Sequence, residues 1–381
     1  MRKTLVEGGA GVENPPNTLS PARLPKQRKK RPKHSIRAES GKPATMHVLR
    51  RAAAAAASAS ALAMATQASG CVSKPDGLRS QRQKDFKLSE HYHGKTRVRV
   101  LRVQHDAQGR DTVQEFSVQT RLFGSLYSKV FTHEDNNDLV ATDTQKNTCY
   151  VIAKRSSATS PEGYGVDVAS HLMSEYPMLD AVEVEVTEDL WRRTACAGGG
   201  EHDHGFVREG PEQATAFVRV TREQLDKPEV RSGLQGLTVL KTTQSGFAKY
   251  LKDSYTLLPE TGERCMATQM KVEWTYTGGR KPVDYAAVRS ELRSQLMRGF
   301  FGPSKGGVYS ASLQATIYDA GCLVLQAVPA VQAISIYTPN MHMIPFHPLK
   351  QLGGEKASPF ADDVYVSTSD PAGTIYCTVS R

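Results

Sequence analysis

From residue 88 onward the chain alternates apolar and polar positions in a rhythm that changes and then repeats. Val98, Val100 and Leu101 open one strand, the turn DAQGR follows, and TVQEFSVQTRLFG returns as a second, which is the pattern of a β-hairpin. The spacing then becomes helical, and helices are predicted around Asp143–Arg155 and Val166–Tyr176. Alternation resumes in AVEVEVTEDLW and TAFVRVTREQ, which adds two strands. The second half follows the same order. TVLKTTQS and MKVEWTYTG read as strands, VDYAAVRSELRSQLMRGFF and SASLQATIYDAGCLVLQAV as helices, and VQAISIYTPNMH and TIYCTVSR as strands. A ββααββ order read twice predicts an α+β fold of two tandem units, residues 88–225 and 226–381, each an antiparallel sheet with helices on one face. Such sheets leave open edges, a liability that closure in an oligomer removes.

Length and composition add little until the charge is divided along the chain. At 381 residues with 39% hydrophobic content there is enough apolar material for a substantial core. The formal net charge of +10 is misleading, because residues 1–87 hold 18 Lys and Arg against 5 Asp and Glu, leaving 31 against 34 for the rest. The part predicted to fold therefore gives no electrostatic reason to expect a nucleic-acid partner. RLPKQRKKRPK, residues 23–33, is basic and broken by proline, so it reads as a solvated tail. The Arg-, Ala- and Ser-rich stretch that follows has no acidic residue from Gly41 to Pro75, which is the chemistry of a targeting segment, and its apolar run is too short to span a bilayer. Met46 is a possible initiator. Six cysteines, at 71, 149, 196, 265, 322 and 377, have no paired spacing and read as reduced thiols.

Three short motifs lead nowhere. Gly302-Pro303-Ser304-Lys305-Gly306 matches a nucleophile elbow as a string, but that device needs a strand before it and a helix after, and here a long amphipathic helix precedes it. His202-Asp203-His204 follows a glycine triplet and has no further ligand at metal spacing, and His91-Tyr92-His93 lies at the ragged start of the folded part. No glycine-rich phosphate cradle or dinucleotide fingerprint is present in the sequence.

The segment Leu237–Arg264, LTVLKTTQSGFAKYLKDSYTLLPETGER, is different in kind. It reads as an alternating strand, a polar loop, a helix-like turn carrying Phe247, Tyr250 and Leu251, and then a single Arg after a proline-containing loop. The positions Leu237, Val239, Leu240, Lys241, Thr242, Thr243, Ser245, Phe247, Tyr250, Tyr255, Leu258 and Arg264 resemble the signature of urate oxidase. HGKTRVRVLRV, LVATDTQKNTCYVIAK, SASLQATIYDAG, IYTPNMH and DPAGTIYCTVSR extend the resemblance over about Glu90–Arg381.

What the resemblance implies is specific. The fold would be the tunnelling fold, whose subunits join into a barrel-like homotetramer. The reaction would convert urate, dioxygen and water to 5-hydroxyisourate and hydrogen peroxide, with no cofactor and no metal, no nucleic acid and no membrane involved. Lys95, Thr142 and His342 would form the proton relay. Phe247 would stack on the purine, Arg264 and Gln314 would clamp opposite edges of the ring, and Leu313 and Ile375 would wall the pocket. Asp143 joins the substrate-binding set through the same loop as Thr142, and Asn340 with Thr142 would flank the oxygen site. Lys95 and Thr142 would come from one subunit and the Phe247 group from another. The family commonly resides in the peroxisome under a C-terminal Ser-Lys-Leu type tripeptide, whereas this sequence stops at Ser380-Arg381, so the N-terminal segment is an alternative address. Another purine- or pterin-binding protein or enzyme of the same fold is the other reading, and one of cyclohydrolase type would require a zinc ligand set.

Overall fold

The structure is a computed structural model that describes residues 86–278, 283–345 and 364–381. The readings of the leader, with Cys71 and Met46, lie outside the described residues, as do its targeting and tail segments up to residue 85.

Among the described residues nine strands build one sheet: β1 His93–His105, β2 Asp111–Phe123, β3 Ala181–Ala195, β4 Glu201–Thr221, β5 Glu229–Lys241, β6 Met266–Tyr276, β7 Val331–Pro345, β8 Tyr365–Thr368 and β9 Thr374–Ser380. Their order is sequential from β1 to β8, every pairing is antiparallel, and β9 pairs with β7. The two sheets expected from the sequence are thus joined edge to edge, because β4 pairs with β5 from Gln213–Gln235 to Arg219–Glu229. A strand edge left at the end of the first half is satisfied by the first strand of the second.

Among the described residues five α-helices fill the connections: α1 Ser128–His133, α2 Thr142–Arg155, α3 Pro161–Glu175, α4 Tyr285–Phe301 and α5 Leu313–Ala327. α3, α4 and α5 begin with Ser160, Asp284 and Ser312, whose side chains accept from the backbone N–H three residues on, so each start is fixed by a local cap. Short α1 and β8 and the outer arm of β4 were not predicted. Residues 201–212 of β4 form a hairpin arm that is largely exposed, without the apolar alternation that marks a half-buried strand.

The alternation does its work on one face. Phe116, Val118 and Leu122 of β2 and Val182, Val184 and Val186 of β3 are buried against Ile152, Tyr164, Val168 and Leu172 of α2 and α3. In the second half Met270, Val272 and Trp274 of β6 and Ile334 and Ile336 of β7 are buried against Leu292, Leu296, Ile317 and Val324 of α4 and α5. Each fully buried side chain of this size contributes roughly 1.5–3 kcal/mol relative to exposure.

Between the two cores runs a polar seam. The Ser232 hydroxyl donates to Glu162 Oε1 over 2.7 Å, the Tyr276 hydroxyl lies 2.6 Å from Ser232 Oγ, and Trp274 Nε1 donates to the Tyr276 oxygen over 3.0 Å. Arg289 of α4 reaches Glu162 of α3 and Glu188 of β3, each at 3.8 Å. Burial pushes the Glu188 carboxyl up to about 7, against the opposing pull of the Arg289 charge. A carboxyl raised in the folded state favours folding below its ordinary value of 4.5, and that contribution is lost as pH rises through about 7. Glu188→Gln should therefore flatten the pH dependence of stability: between pH 5 and 8 the wild type should lose about 2–3 kcal/mol that the variant keeps, read from urea unfolding at the two pH values.

Candidate active site

The first group of predicted residues gathers where β1 meets the start of α2. Gly94 lies so close to β2 that a Cβ there would sit 2.1 Å from the Thr120 carbonyl oxygen, so only glycine lets the strand carry Lys95 in at this depth. Immediately afterwards β1 gains one residue over β2, since Lys95 pairs with Thr120 and Val98 with Val118, and Arg97 adopts a left-handed φ of 55°. This is a β-bulge, a device that re-aims the side chains beside it. Thr142 is the first residue of α2 and half-buried, and Asp143 beside it is exposed. The Asp143 carboxyl is held below the usual carboxylate range, first by the Lys146 ammonium it contacts and also by the charge of Lys95, which places Lys95 in its electrostatic reach.

Two buried residues hold β1 and α2 together. Thr120 Oγ1 accepts weakly from the Lys95 backbone N–H at 3.4 Å and donates to Gln145 Oε1 at 2.7 Å, while Gln145 Nε2 donates to the Val140 carbonyl at 3.2 Å. Thr120 and Gln145 have no exposed surface. Sequence reasoning missed them, although the signal existed: Thr120 is a polar side chain set among Phe116, Val118 and Leu122 in the inward row of β2.

The second group lies at the far end of β6 and β7. Arg264 stands just before β6, with its guanidinium carbon 5.3 Å from the Phe247 ring centroid. Burial pushes the Arg264 guanidinium down from its ordinary value, and its Nε is buried without a hydrogen-bond partner among the described residues. Thr268 of β6 pairs with Asn340 of β7, and Ala267 with Met341, so His342 is one residue past the pairing that follows Arg264. Asn340 N donates to the Gly373 carbonyl at 2.8 Å, and Ile375 pairs with Thr338, which brings the start of β9 alongside. Gln314 is exposed in the first turn of α5. Leu313, expected in the pocket wall, has only 1% of its surface exposed and packs into the core, while Ile375 is half-buried against the same core.

The loop between Phe247 and Arg264 departs from the expected helical turn. Phe247 and Thr261 bond each other's backbone at 2.8 and 3.0 Å, and Gln244 and Lys249 take left-handed φ values of 60° and 61°, which breaks any helix. Leu251, read as part of a helical face, is 99% exposed. Of the motifs set aside, His93 is the first residue of β1, two before Lys95, and bonds the backbone of Val140 beside the first group. Ser304 lies in an exposed turn after α4, and His202 and His204 sit on the exposed arm of β4 with ring centroids 6.3 Å apart. The described cysteines are free thiols.

The two groups stand at opposite sides of the sheet. Lys95 is on β1, Arg264 leads into β6, and five strand-to-strand steps at about 4.8 Å give about 24 Å along the sheet. Among the described residues no hydrogen bond, ion pair or ring contact joins Lys95, Thr142 or Asp143 to the Phe247 group.

Comparison with known proteins gives this arrangement a context. The family description "Uricase" matches residues 91–219 and 230–376, both halves of the sheet. The chain is 38% identical over 299 residues to Uricase-2 isozyme 1 of Glycine max, covering 77% of this chain and 94% of the relative. It is also 38% identical over 297 residues to Uricase of Arabidopsis thaliana, covering 76% and 94%. The crystal structure of uricase from Arthrobacter globiformis superposes with a TM-score of 0.68 at 28% identity, over 78% of this chain and 96% of that one. A family model that matches both halves of the sheet and takes in both residue groups, with a relative 38% identical that aligns over 94% of its own length, makes the chain a member of the uricase family.

Proposed function

We propose that the chain is a cofactor-independent urate oxidase that converts urate, dioxygen and water to 5-hydroxyisourate and hydrogen peroxide at a site shared by two subunits. The activity follows from family membership. The shared site is supported by the separation of its two halves: five strand-to-strand steps, about 24 Å along one sheet, lie between them, several times the width of a purine. A second subunit supplies the missing half, and the open edges of the sheet give it a reason to assemble.

Each half has its task. Phe247 stacks on the purine face, and Arg264, already beside that ring, presents a planar fork to one edge of urate while Gln314 reads the other. Asn340 and Thr142 flank the place of dioxygen. Lys95, Thr142 and His342 move protons, so that urate becomes electron-rich enough to reduce dioxygen itself. Water enters at the resulting carbon centre, and two electrons and two protons leave as hydrogen peroxide. Peroxisomal residence, which the family resemblance implies, is proposed with the rest.

The test of the activity is the fall of urate's ultraviolet absorbance with peroxide measured in parallel, after dialysis and with a chelator present. Equimolar peroxide is the expected outcome, and no consumption of urate by the assembled protein would refute the assignment. Recognition is tested separately. Arg264→Lys keeps a charge but loses the fork, and should weaken anaerobic urate binding about 10- to 100-fold, in line with the loss of one charge-assisted bond of roughly 1.5–3 kcal/mol.

A further inference from the structure

Lys241 is the last residue of β5 and continues the inward row Leu237, Val239, Lys241, so a lysine occupies a position that the strand's alternation assigns to the core. It is 93% buried by surface, since only 7% of it is exposed. Its ammonium donates to the Val308 carbonyl at 2.7 Å, to Ser310 Oγ at 2.8 Å and more weakly to the Gln244 carbonyl at 3.5 Å, and it lies 5.6 Å from the Phe300 ring centroid. Among the described residues no carboxylate lies within 4 Å of it. Burial lowers its basicity, as expected for a cation held by neutral oxygens. A buried charge without a counter-charge is costly, and a strand end has no need of one.

What the three acceptors have in common is where their segments lead. Gln244 precedes Ser245, Gly246 and Phe247; Ser245 O accepts from Arg264 N at 2.7 Å; Ser310 O accepts from Gly246 N at 2.9 Å, and Ser310 N donates to Gln244 O at 2.9 Å. Ser310 lies two residues before Ser312, the cap of α5, whose first turn holds Gln314. Gly246 itself is wedged: a Cβ there would meet the Tyr309 hydroxyl at 2.1 Å and the Thr261 carbonyl at 2.9 Å. Phe247, Arg264 and Gln314 therefore sit on three separate stretches of chain that meet at one knot, and the Lys241 ammonium adds side-chain bonds between two stretches that Ser310 already joins through its backbone.

We propose that Lys241 is a positioning residue for substrate capture, its buried ammonium fixing the loop of Phe247 and Arg264 against the entry to α5 so that three ring contacts converge on one purine. This rests on the urate oxidase reading and deepens it. The role is distinct from the relay, because Lys241 touches backbone and a hydroxyl and its segments carry ring contacts, whereas Lys95 and Thr142 lie on the other half of the sheet.

The experiment compares full-length wild type, Lys241→Met and Lys241→Gln in urate turnover and in anaerobic urate binding, with thermal unfolding recorded for each. Lys241→Met should raise KM and the dissociation constant about 10- to 100-fold while kcat falls by a smaller factor, and Lys241→Gln, which keeps donors for Val308 and Ser310, should recover part of the loss. A residue that merely stabilised the fold would lower the unfolding temperature and the active fraction but leave KM unchanged. Wild-type KM and binding in the folded fraction of either variant would overturn the proposal; should Lys241→Met not fold, Lys241→Gln decides it alone by the same criterion. A wild type that binds no urate would instead refute the urate oxidase reading, so the two failures are separable.

Discussion

Replacing Lys95 by Met should lower urate turnover by roughly 10²- to 10⁴-fold while leaving anaerobic urate binding nearly unchanged, because the residue is assigned to proton transfer and not to holding the ring. Thr142→Ala should behave alike. The two side chains come from different elements, yet the structure locks those elements together: Thr120 and Gln145 tie β1 to the entry of α2, and the bulge at Arg97 re-aims the strand next to Lys95. Groups that act as one unit do not add when removed, so the double variant should be little worse than either single one. Multiplying losses in stopped-flow turnover would mean that Lys95 and Thr142 act separately, and a matching loss of binding would move them into the recognition group.

Much of this molecule could be read before its structure, for identifiable reasons. Alternation in β2, β3, β6 and β7 reports a sheet with one covered face, and the periodic runs at α2 to α5 report what covers it. The joint between β4 and β5 is not readable that way, since alternation says which face is buried and nothing about which edge is paired. The loop from Gly246 to Glu263 misled because Phe247, Tyr250 and Leu251 have helical spacing, while its path is set by backbone bonds to Thr261 and by left-handed residues at 244 and 249. The arm of β4 carried too little apolar material to announce itself.

The candidate site divides in the same way. Its ten residues came from a resemblance carried by six separated segments, and pattern alone would have left Phe247 as core, Lys95 as a solvated charge and His342 as an ordinary histidine. The structure places these residues in two groups and puts Leu313 in the core. The supporting residues were visible only as anomalies. Thr120 interrupts an apolar row and Lys241 ends one, and a polar side chain at a position the alternation buries is a signal that must be followed to its partners.

The separation of the two groups is the point on which the account depends, and complementation between inactive chains measures it directly. Lys95→Met and Arg264→Ala chains, each inactive alone, are unfolded, mixed and refolded, and hybrid assembly is confirmed by native mass. If each site takes Lys95 and Thr142 from one subunit and Phe247, Arg264, Gln314, Asn340 and His342 from another, some interfaces in the hybrid carry both intact halves, and urate turnover should return to a substantial fraction of the wild-type rate. Hybrids that form and consume no urate would contradict the account, because they would place both groups of a working site within one chain.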